Sequence, residues 1–140
     1  GGLAMAGGYY SFSGIYGAAK FYRTAIEKTL PVSIHTFDDR IETPEGARAE
    51  VLLPEHPIVR GIDAEWPLLL GYNEVVAKPN ATVIAQVGSD PLLVTGEVGK
   101  GRTLAWTSDI GPHWCPEPFV AWEGYARLWL QSIEWLAGSK

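Results

Sequence analysis

The chain has 140 residues, of which 46% are hydrophobic and 19% charged, and a formal net charge of −5 from 11 Lys plus Arg against 16 Asp plus Glu. These values are typical of one globular domain with a buried core and argue against intrinsic disorder. An acidic chain without a Lys/Arg cluster lacks the electrostatic footprint of nucleic-acid and anionic-membrane binders, so neither partner is expected. No run of about 18 apolar residues predicts a transmembrane helix. The single cysteine cannot form an intramolecular disulfide, which favours a cytoplasmic location.

The first part of the chain combines short strands with a glycine-rich aromatic loop. Residues 3–6 are apolar and end in Gly7-Gly8, which predicts a strand buried on both faces, as in a parallel sheet. Thr24 and Glu27 have capping-box spacing, so a short helix is predicted over residues 25–29. Further strands are predicted over residues 33–37, 49–53 and 67–72, with a charged turn or loop at residues 38–46.

The later part of the chain predicts an antiparallel meander followed by a helix. Turn sequences separate three β-rich runs, at residues 82–87, 92–98 and 102–107. Residues 119–136 carry one polar stripe on an otherwise apolar helix, which indicates packing on a sheet. We therefore expect a single α/β domain over residues 1–140.

Five segments, taken in their order, resemble glutamine amidotransferase-like proteins of the class I amidotransferase fold. They are Gly1 to Phe12, Leu30-Pro31-Val32, Asp38-Asp39-Arg40, Gly99-Lys100-Gly101-Arg102 and Ser108 to Trp114. The resemblance implies a flavodoxin-like three-layer sandwich with the meander near its C-terminus. Because proteins of this family are roughly twice as long, it also implies that this chain is the C-terminal part of a longer domain. The missing N-terminal βα units would then make an upstream segment of the same protein a partner of this chain.

The resemblance also implies where catalytic groups would lie, and the sequence departs from the enzymes there. In catalytic members a Cys in a tight elbow follows a central strand, and a His with a Glu two residues later completes the triad. Here the elbow reads Gly7-Gly8-Tyr9, and the carboxylate after His113 is Glu117, four positions on. Glutamine hydrolysis through a thioester is therefore not expected.

Three residues are candidates for catalysis. His113 would act as a general base with Asp109 orienting its imidazole, or would hydrogen-bond within its loop and pack against Trp114. Ser11 would be a replacement nucleophile, although no G-x-S-x-G pattern is present.

A ligand site is predicted where the loops after residues 3–6 and 102–107 meet, because ligands bind beyond the carboxyl ends of strands in parallel α/β sheets. Gly7 and Gly8 would present backbone amides to an anion, or simply form a tight turn. Tyr9 and Trp114 would contact a small polar ligand. The six aromatic residues between positions 9 and 22 would either stack on a sugar or pack in the core.

Two further features have alternative interpretations. The acidic stretch from Asp38 to Glu45, with Arg40 inside it, would bind a divalent ion or form a solvated loop with an Asp–Arg pair, and we expect the loop. Cys115 would be a thiol activated by His113 or a buried structural cysteine, and we expect the structural role. No metal site and no cofactor are predicted.

Together these patterns predict an amidotransferase-like domain without standard glutaminase activity. One alternative is a non-catalytic domain that binds a small, sugar-like ligand. The other is an oligomerisation module in which the Trp-rich C-terminal segment makes a homo-oligomer contact.

Overall fold

The computed structural model describes residues 1–138, which form nine strands and three helices. The strands are β1 (Gly2–Ala6), β2 (Val32–Ile34), β3 (Arg40–Ala47), β4 (Glu50–Val51), β5 (Leu69–Asn73), β6 (Val75–Ala77), β7 (Thr82–Val87), β8 (Asp90–Val98) and β9 (Gly101–Trp106). The helices are α1 (Ala25–Thr29), α2 (Glu117–Val120) and α3 (Glu123–Ala137), and a 3-10 turn spans Ile15–Gly17. None of these helices has the length and apolar character that a membrane crossing requires.

The main sheet has five strands in the order β1-β9-β8-β7-β4. β1 runs parallel to β9, with Ala6 opposite Trp106, whereas β7, β8 and β9 form an antiparallel meander. The predicted meander is confirmed, as is the α/β class. Two small antiparallel sheets, β2–β6 and β3–β5, complete the strand pairing of the described residues.

Alternate residues of the inner strands point to opposite faces of the main sheet, and each face packs against its own core cluster. Leu104 and Trp106 belong to a core cluster that includes Leu128 of α3. Ala105, between them, belongs to a second cluster around Phe12. Thr24 accepts a hydrogen bond from the Glu27 amide, so α1 begins with the predicted cap and covers residues 25–29 as expected.

Three expectations about strands and loops differ from the structure. β1 is not buried on both faces: it pairs only with β9 among residues 1–138, and Gly2 and Ala4 are exposed. Residues 38–46 are not a loop, because most of them form β3, in which Arg40 and Glu42 alternate with residues 41 and 43 on the pleat. The strand expected over residues 49–53 is reduced to Glu50–Val51.

The helix predicted over residues 119–136 is interrupted at Trp122. This residue has extended backbone angles (φ −69°, ψ 137°) and precedes α3. Its indole folds back over Gly124, where a Cβ would lie 2.1 Å from the ring. The bulk of Trp122 therefore separates α2 from α3, and only a residue without a side chain fits at position 124.

Candidate functional site

The loops that follow β1 and β9 lie against each other, as the parallel pairing requires. The Gly7 amide donates to the carbonyl oxygens of Trp106, at 2.8 Å, and Ser108, at 2.9 Å. A Cβ at position 7 would lie 2.1 Å from the Thr107 oxygen, so the contact needs glycine. The predicted convergence of the two strand ends is confirmed.

The buried side chain of Asn73, at the end of β5, connects these loops to the segment before β3. Its Nδ2 donates to the Gly8 oxygen at 3.0 Å and to Asp39 Oδ1 at 2.8 Å, and its Oδ1 accepts from the Gly8 amide at 2.8 Å. Asp39 also accepts from the amides of Ser13 and Gly14. Burial raises the pKa of Asp39, while these hydrogen bonds act in the opposite direction.

The proposed anion-binding role of the two glycines is corrected by these contacts. The amides of Gly7 and Gly8 both donate within the protein, so neither is free to donate to an anion. Gly8 has φ +139°, and a Cβ there would lie 2.7 Å from Asp109 Oδ1. The glycines therefore allow close approach of backbone segments, which is the alternative reading of that turn.

Glu42 on β3 is the carboxylate at the centre of the site. The hydroxyl of Tyr9 donates to its Oε1 at 2.8 Å, and Trp114 Nε1 donates to its Oε2 at 3.0 Å. Burial raises the pKa of Glu42, but these hydrogen bonds and the positive charges of His113 and Arg40 outweigh it, so the pKa lies below its usual value. Glu42 is therefore ionised at neutral pH.

Trp114 lies beneath Glu42 and has no exposed surface. β3 pairs with β5 so that Glu42 stands opposite Gly71, and a Cβ on Gly71 would lie 2.3 Å from Trp114 Nε1. The missing side chain at position 71 thus admits the indole. Since Trp114 is fully buried, its expected contact with a ligand is corrected to a supporting role for Glu42.

His113 is exposed at the rim, with its imidazole 5.1 Å from the Tyr9 ring in an edge-to-face arrangement. Its Nε2 lies 3.9 Å from Glu42 Oε2, which is ion-pair distance for a protonated imidazole and too long for a hydrogen bond. The packing against Trp114, at 5.9 Å between ring centroids, is also present. The expected packing of His113 on Trp114 is therefore confirmed, whereas its role as a general base stays a prediction.

Asp109 does not orient His113 as predicted. Its Oδ2 accepts the backbone amide of Trp114 at 3.1 Å, so it fixes the loop instead of pairing with the imidazole. Burial raises the pKa of Asp109, with the nearby charge of Glu42 adding to the effect. Glu117 is exposed at the start of α2, outside ion-pair distance of His113.

The structure does not join Ser11 to a base. Its hydroxyl lies near Gly8, and no hydrogen bond connects Ser11 to His113 in the part of the chain that is described. A nucleophilic serine needs its base at or near hydrogen-bond distance. The nucleophile assignment for Ser11 therefore has no support in this geometry.

Arg40 and Asp38 form the pair expected in the acidic stretch. Arg40 Nε and Nη2 contact the two Asp38 oxygens at 2.9 and 2.7 Å, and hydrogen bonding by Arg40 holds the pKa of Asp38 far below its usual value. The guanidinium lies 4.8 Å from the Tyr9 ring centre and 5.4 Å from that of Tyr16. Residues 1–138 contain no cluster of three or more His, Cys, Asp or Glu side chains that could hold a metal ion.

The N-terminal aromatic residues divide between core and surface. Phe12 is fully buried, with Phe21 and Tyr22 packed against its cluster. Tyr10 and Tyr16 are 76% and 83% exposed, and the Tyr16 ring faces the Arg40 guanidinium. The core-packing alternative is therefore confirmed for Phe12, Phe21 and Tyr22, whereas stacking on a sugar stays a prediction for the exposed residues.

Cys115 is buried, which confirms the expected structural placement. Burial is the main cause that raises the pKa of its thiol to about 12. At neutral pH this thiol is protonated and unreactive.

Comparison with known proteins assigns the family. The profile of the GATase1-like family, described as putative glutamine amidotransferase, matches residues 1–138. The chain belongs to this family. It is 43% identical to a cytoplasmic protein from Salmonella typhimurium, with a TM-score of 0.94, and 43% identical to a second one from Salmonella typhimurium LT2, with a TM-score of 0.93. Each match covers 97% of this chain and 55% of the other, so the chain spans about half the length of those proteins. No curated protein matches.

Sequence reasoning within this GATase1-like domain missed Glu42, Asn73 and Gly71 as parts of the site. The signal for Glu42 is the alternation of Arg40 and Glu42 with apolar or β-branched residues 41 and 43, which is a strand pattern. Asn73 and Gly71 become visible only when β5 is paired with β3, because both lie on the face that carries Arg40 and Glu42.

Proposed function

We propose that this GATase1-like domain binds a small polar ligand at the carboxyl ends of β1 and β9, with His113 as its general base and without standard glutaminase chemistry. The observation that carries the proposal is the approach of Tyr9, after β1, to within 5.1 Å of His113, after β9. The exposed imidazole faces solvent at this junction, whereas the one thiol of the chain is buried and protonated. The site therefore favours acid–base chemistry over a thioester route.

The free polar groups of the site favour a neutral, hydroxyl-rich ligand over an anion. The amides of Gly7 and Gly8 are used within the protein, and the Arg40 guanidinium is held by Asp38. What remains accessible is an ionised carboxylate, Glu42, beside an imidazole and the ring of Tyr9. A carboxylate accepts hydrogen bonds from hydroxyl groups, and aromatic rings pack against the apolar face of a sugar.

Thermal unfolding in the presence of hexoses, linear polyols and small primary amides tests this proposal. A compound at 100 times its dissociation constant stabilises the domain by about 2.7 kcal/mol. We expect one of the hydroxyl-rich compounds to raise the melting temperature of the wild type and of His35→Ala, a control whose imidazole stacks on Phe37, and to lose this effect in His113→Ala. No stabilisation by any compound, or equal stabilisation of His113→Ala, would contradict the proposal.

A glutaminase assay tests the chemistry separately. We expect no ammonia release from glutamine, since the thiol of Cys115 is buried. Ammonia release that iodoacetamide abolishes would show a thiol route and refute this part of the proposal.

We further propose that an upstream βα segment of the parent protein covers the free edge of β1 and completes a flavodoxin-like three-layer sandwich. β1 is an edge strand in the described residues, and a groove of about 370 Å³ opens beside it. Met5, Trp129 and Ile133 are among the groove's apolar lining residues, and Ile133 is 62% exposed. The greater length of both similar Salmonella proteins supports a segment of that kind, and their cytoplasmic assignment supports a cytoplasmic location for this chain.

Light scattering of the chain, alone and with the upstream polypeptide, tests this second proposal. We expect a 1:1 complex that Ile133→Glu weakens and that Val98→Glu, at the exposed end of β8, leaves intact. Self-association that Ile133→Glu abolishes would instead support the oligomerisation alternative. A chain that stays monomeric and does not bind the upstream polypeptide would contradict both the second proposal and the oligomerisation alternative.

A further inference from the structure

Glu42 lies close to His113 in the fold although the two residues are far apart in the chain. Glu42 Oε2 lies 3.9 Å from His113 Nε2, which is ion-pair distance. No other carboxylate lies within that distance of His113 among residues 1–138. The pair is half-exposed, so water and a ligand both reach it.

We infer that Glu42 is the positioning residue for the protonated form of His113: its carboxylate pairs with the imidazolium through Nε2, at 3.9 Å, and leaves Nδ1 to exchange a proton with water or a ligand hydroxyl. The inference rests on the proposed function, because it assigns a role within the same site.

Glu42 is rigid enough to hold a neighbour in place. Both of its oxygens accept a hydrogen bond from an aromatic side chain, Tyr9 on one side and Trp114 on the other. Trp114 is itself fixed, because it is fully buried and fits into the space left by Gly71 opposite Glu42. A carboxylate anchored through two donors loses little further freedom when it pairs with an imidazolium.

The neighbouring acidic groups do not offer an equivalent carboxylate. Asp109 Oδ2 accepts the backbone amide of Trp114, and the position of this carboxyl against Gly8 leaves no room for a Cβ there. Asp38 is bound by Arg40, whose guanidinium faces Tyr9 and Tyr16.

The proton transfer that this pair supports takes place between His113 Nδ1 and the hydroxyl group of water or of a ligand. When His113 Nδ1 accepts a proton, the O–H bond of water or of a ligand hydroxyl breaks and the oxygen keeps the electron pair. The positive charge then resides on the imidazolium, 3.9 Å from the Glu42 carboxylate. Opposite charges at this distance attract each other.

The charged and hydrogen-bonding groups around Glu42 make the pairing measurable from the carboxylate side. Burial raises the Glu42 pKa, whereas hydrogen bonds from Trp114 and Tyr9 and the charges of His113 and Arg40 lower it. Removal of the imidazole deletes one of the lowering causes and leaves the two hydrogen bonds and Arg40 in place.

The test is a titration of the Glu42 carboxyl carbon by ¹³C NMR in the whole chain labelled at glutamate, with the signal assigned through Glu42→Gln. In His113→Gln, which keeps a polar side chain of similar size without a charge, we expect the Glu42 midpoint to move to higher pH. His113→Ala is expected to give the same shift. If one of these two variants failed to fold, the other would still provide the test. His35→Ala, whose ring stacks on Phe37 at 4.6 Å, is the control and should leave the midpoint unchanged.

An unchanged Glu42 midpoint in folded His113→Gln would overturn the inference, because Glu42 and the imidazole would then not interact. The measurement needs no ligand, so its result is independent of the ligand panel. A shifted midpoint without binding of any compound would support the Glu42–His113 pair and refute only the ligand proposal. Ligand binding without a shift would support the ligand proposal and refute the pair.

Discussion

Substitution of Gly71 by alanine is the sharpest structural perturbation of the site. The added Cβ would lie 2.3 Å from Trp114 Nε1, 2.5 Å from Cδ1 and 2.6 Å from Cε2. The indole is fully buried and cannot rotate into solvent, so it has to shift within the core. That shift also breaks the 3.0 Å hydrogen bond to Glu42.

The expected cost combines two contributions. Overpacking of a core typically costs about 1 to 3 kcal/mol, and loss of a hydrogen bond to a charged acceptor adds about 1 kcal/mol or more. We therefore expect Gly71→Ala to lower the free energy of unfolding by about 2 to 4 kcal/mol. For a domain of this size the melting temperature should fall by about 6 to 15 °C.

Urea unfolding followed by circular dichroism measures this change. Gly111→Ala is the matched control, because it lies in the same loop as Trp114 and a Cβ there meets no atom within 4 Å. We expect the control to stay within about 1 kcal/mol of the wild type. If Gly71→Ala were as stable as this control, the close packing of Trp114 against β5 would be refuted.

Three further predictions concern individual side chains. Asn73→Ala should lower the free energy of unfolding by about 3 kcal/mol in urea, because it removes three buried hydrogen bonds, one of them to the Asp39 carboxylate; a loss below about 0.5 kcal/mol would contradict its bridging role. Asp38→Asn should be less stable than the wild type at neutral pH, and since the Asp38 pKa is lowered by Arg40, the difference should be complete above the usual aspartate value of 3.8 and shrink as pH falls below it; a pH-independent difference in denaturation experiments would argue against the ion pair. Cys115 should resist iodoacetamide at pH 8 in the native state and react in urea, as mass spectrometry would show, because its pKa is raised to about 12; rapid native labelling would show an accessible thiolate.

Local sequence patterns were sufficient for elements whose stabilising contacts are close in the chain. The α1 cap joins Thr24 to Glu27, and the meander is set by turns between strands that follow one another. The predicted helix failed at Trp122 because its indole packs over Gly124, an arrangement that periodicity does not encode.

The candidate site was predictable in position but not in its partners. Gly7 and His113 were placed together because the ends of parallel neighbouring strands share one edge of a sheet. The partner of His113 was sought nearby in sequence, at Asp109, and the structure supplies Glu42 instead. That contact depends on the register of β3 against β5, a long-range pairing that no local pattern specifies.

The most direct test of a ligand site at the strand ends is a ¹H–¹⁵N NMR titration of the chain with the hexoses and polyols of the thermal panel. The account predicts that shifted backbone amides cluster at residues 7–14, 38–42 and 107–114, and that His113→Ala removes the shifts. Shifts centred on the groove beside Ile133, or no shifts with any of these compounds, would contradict it.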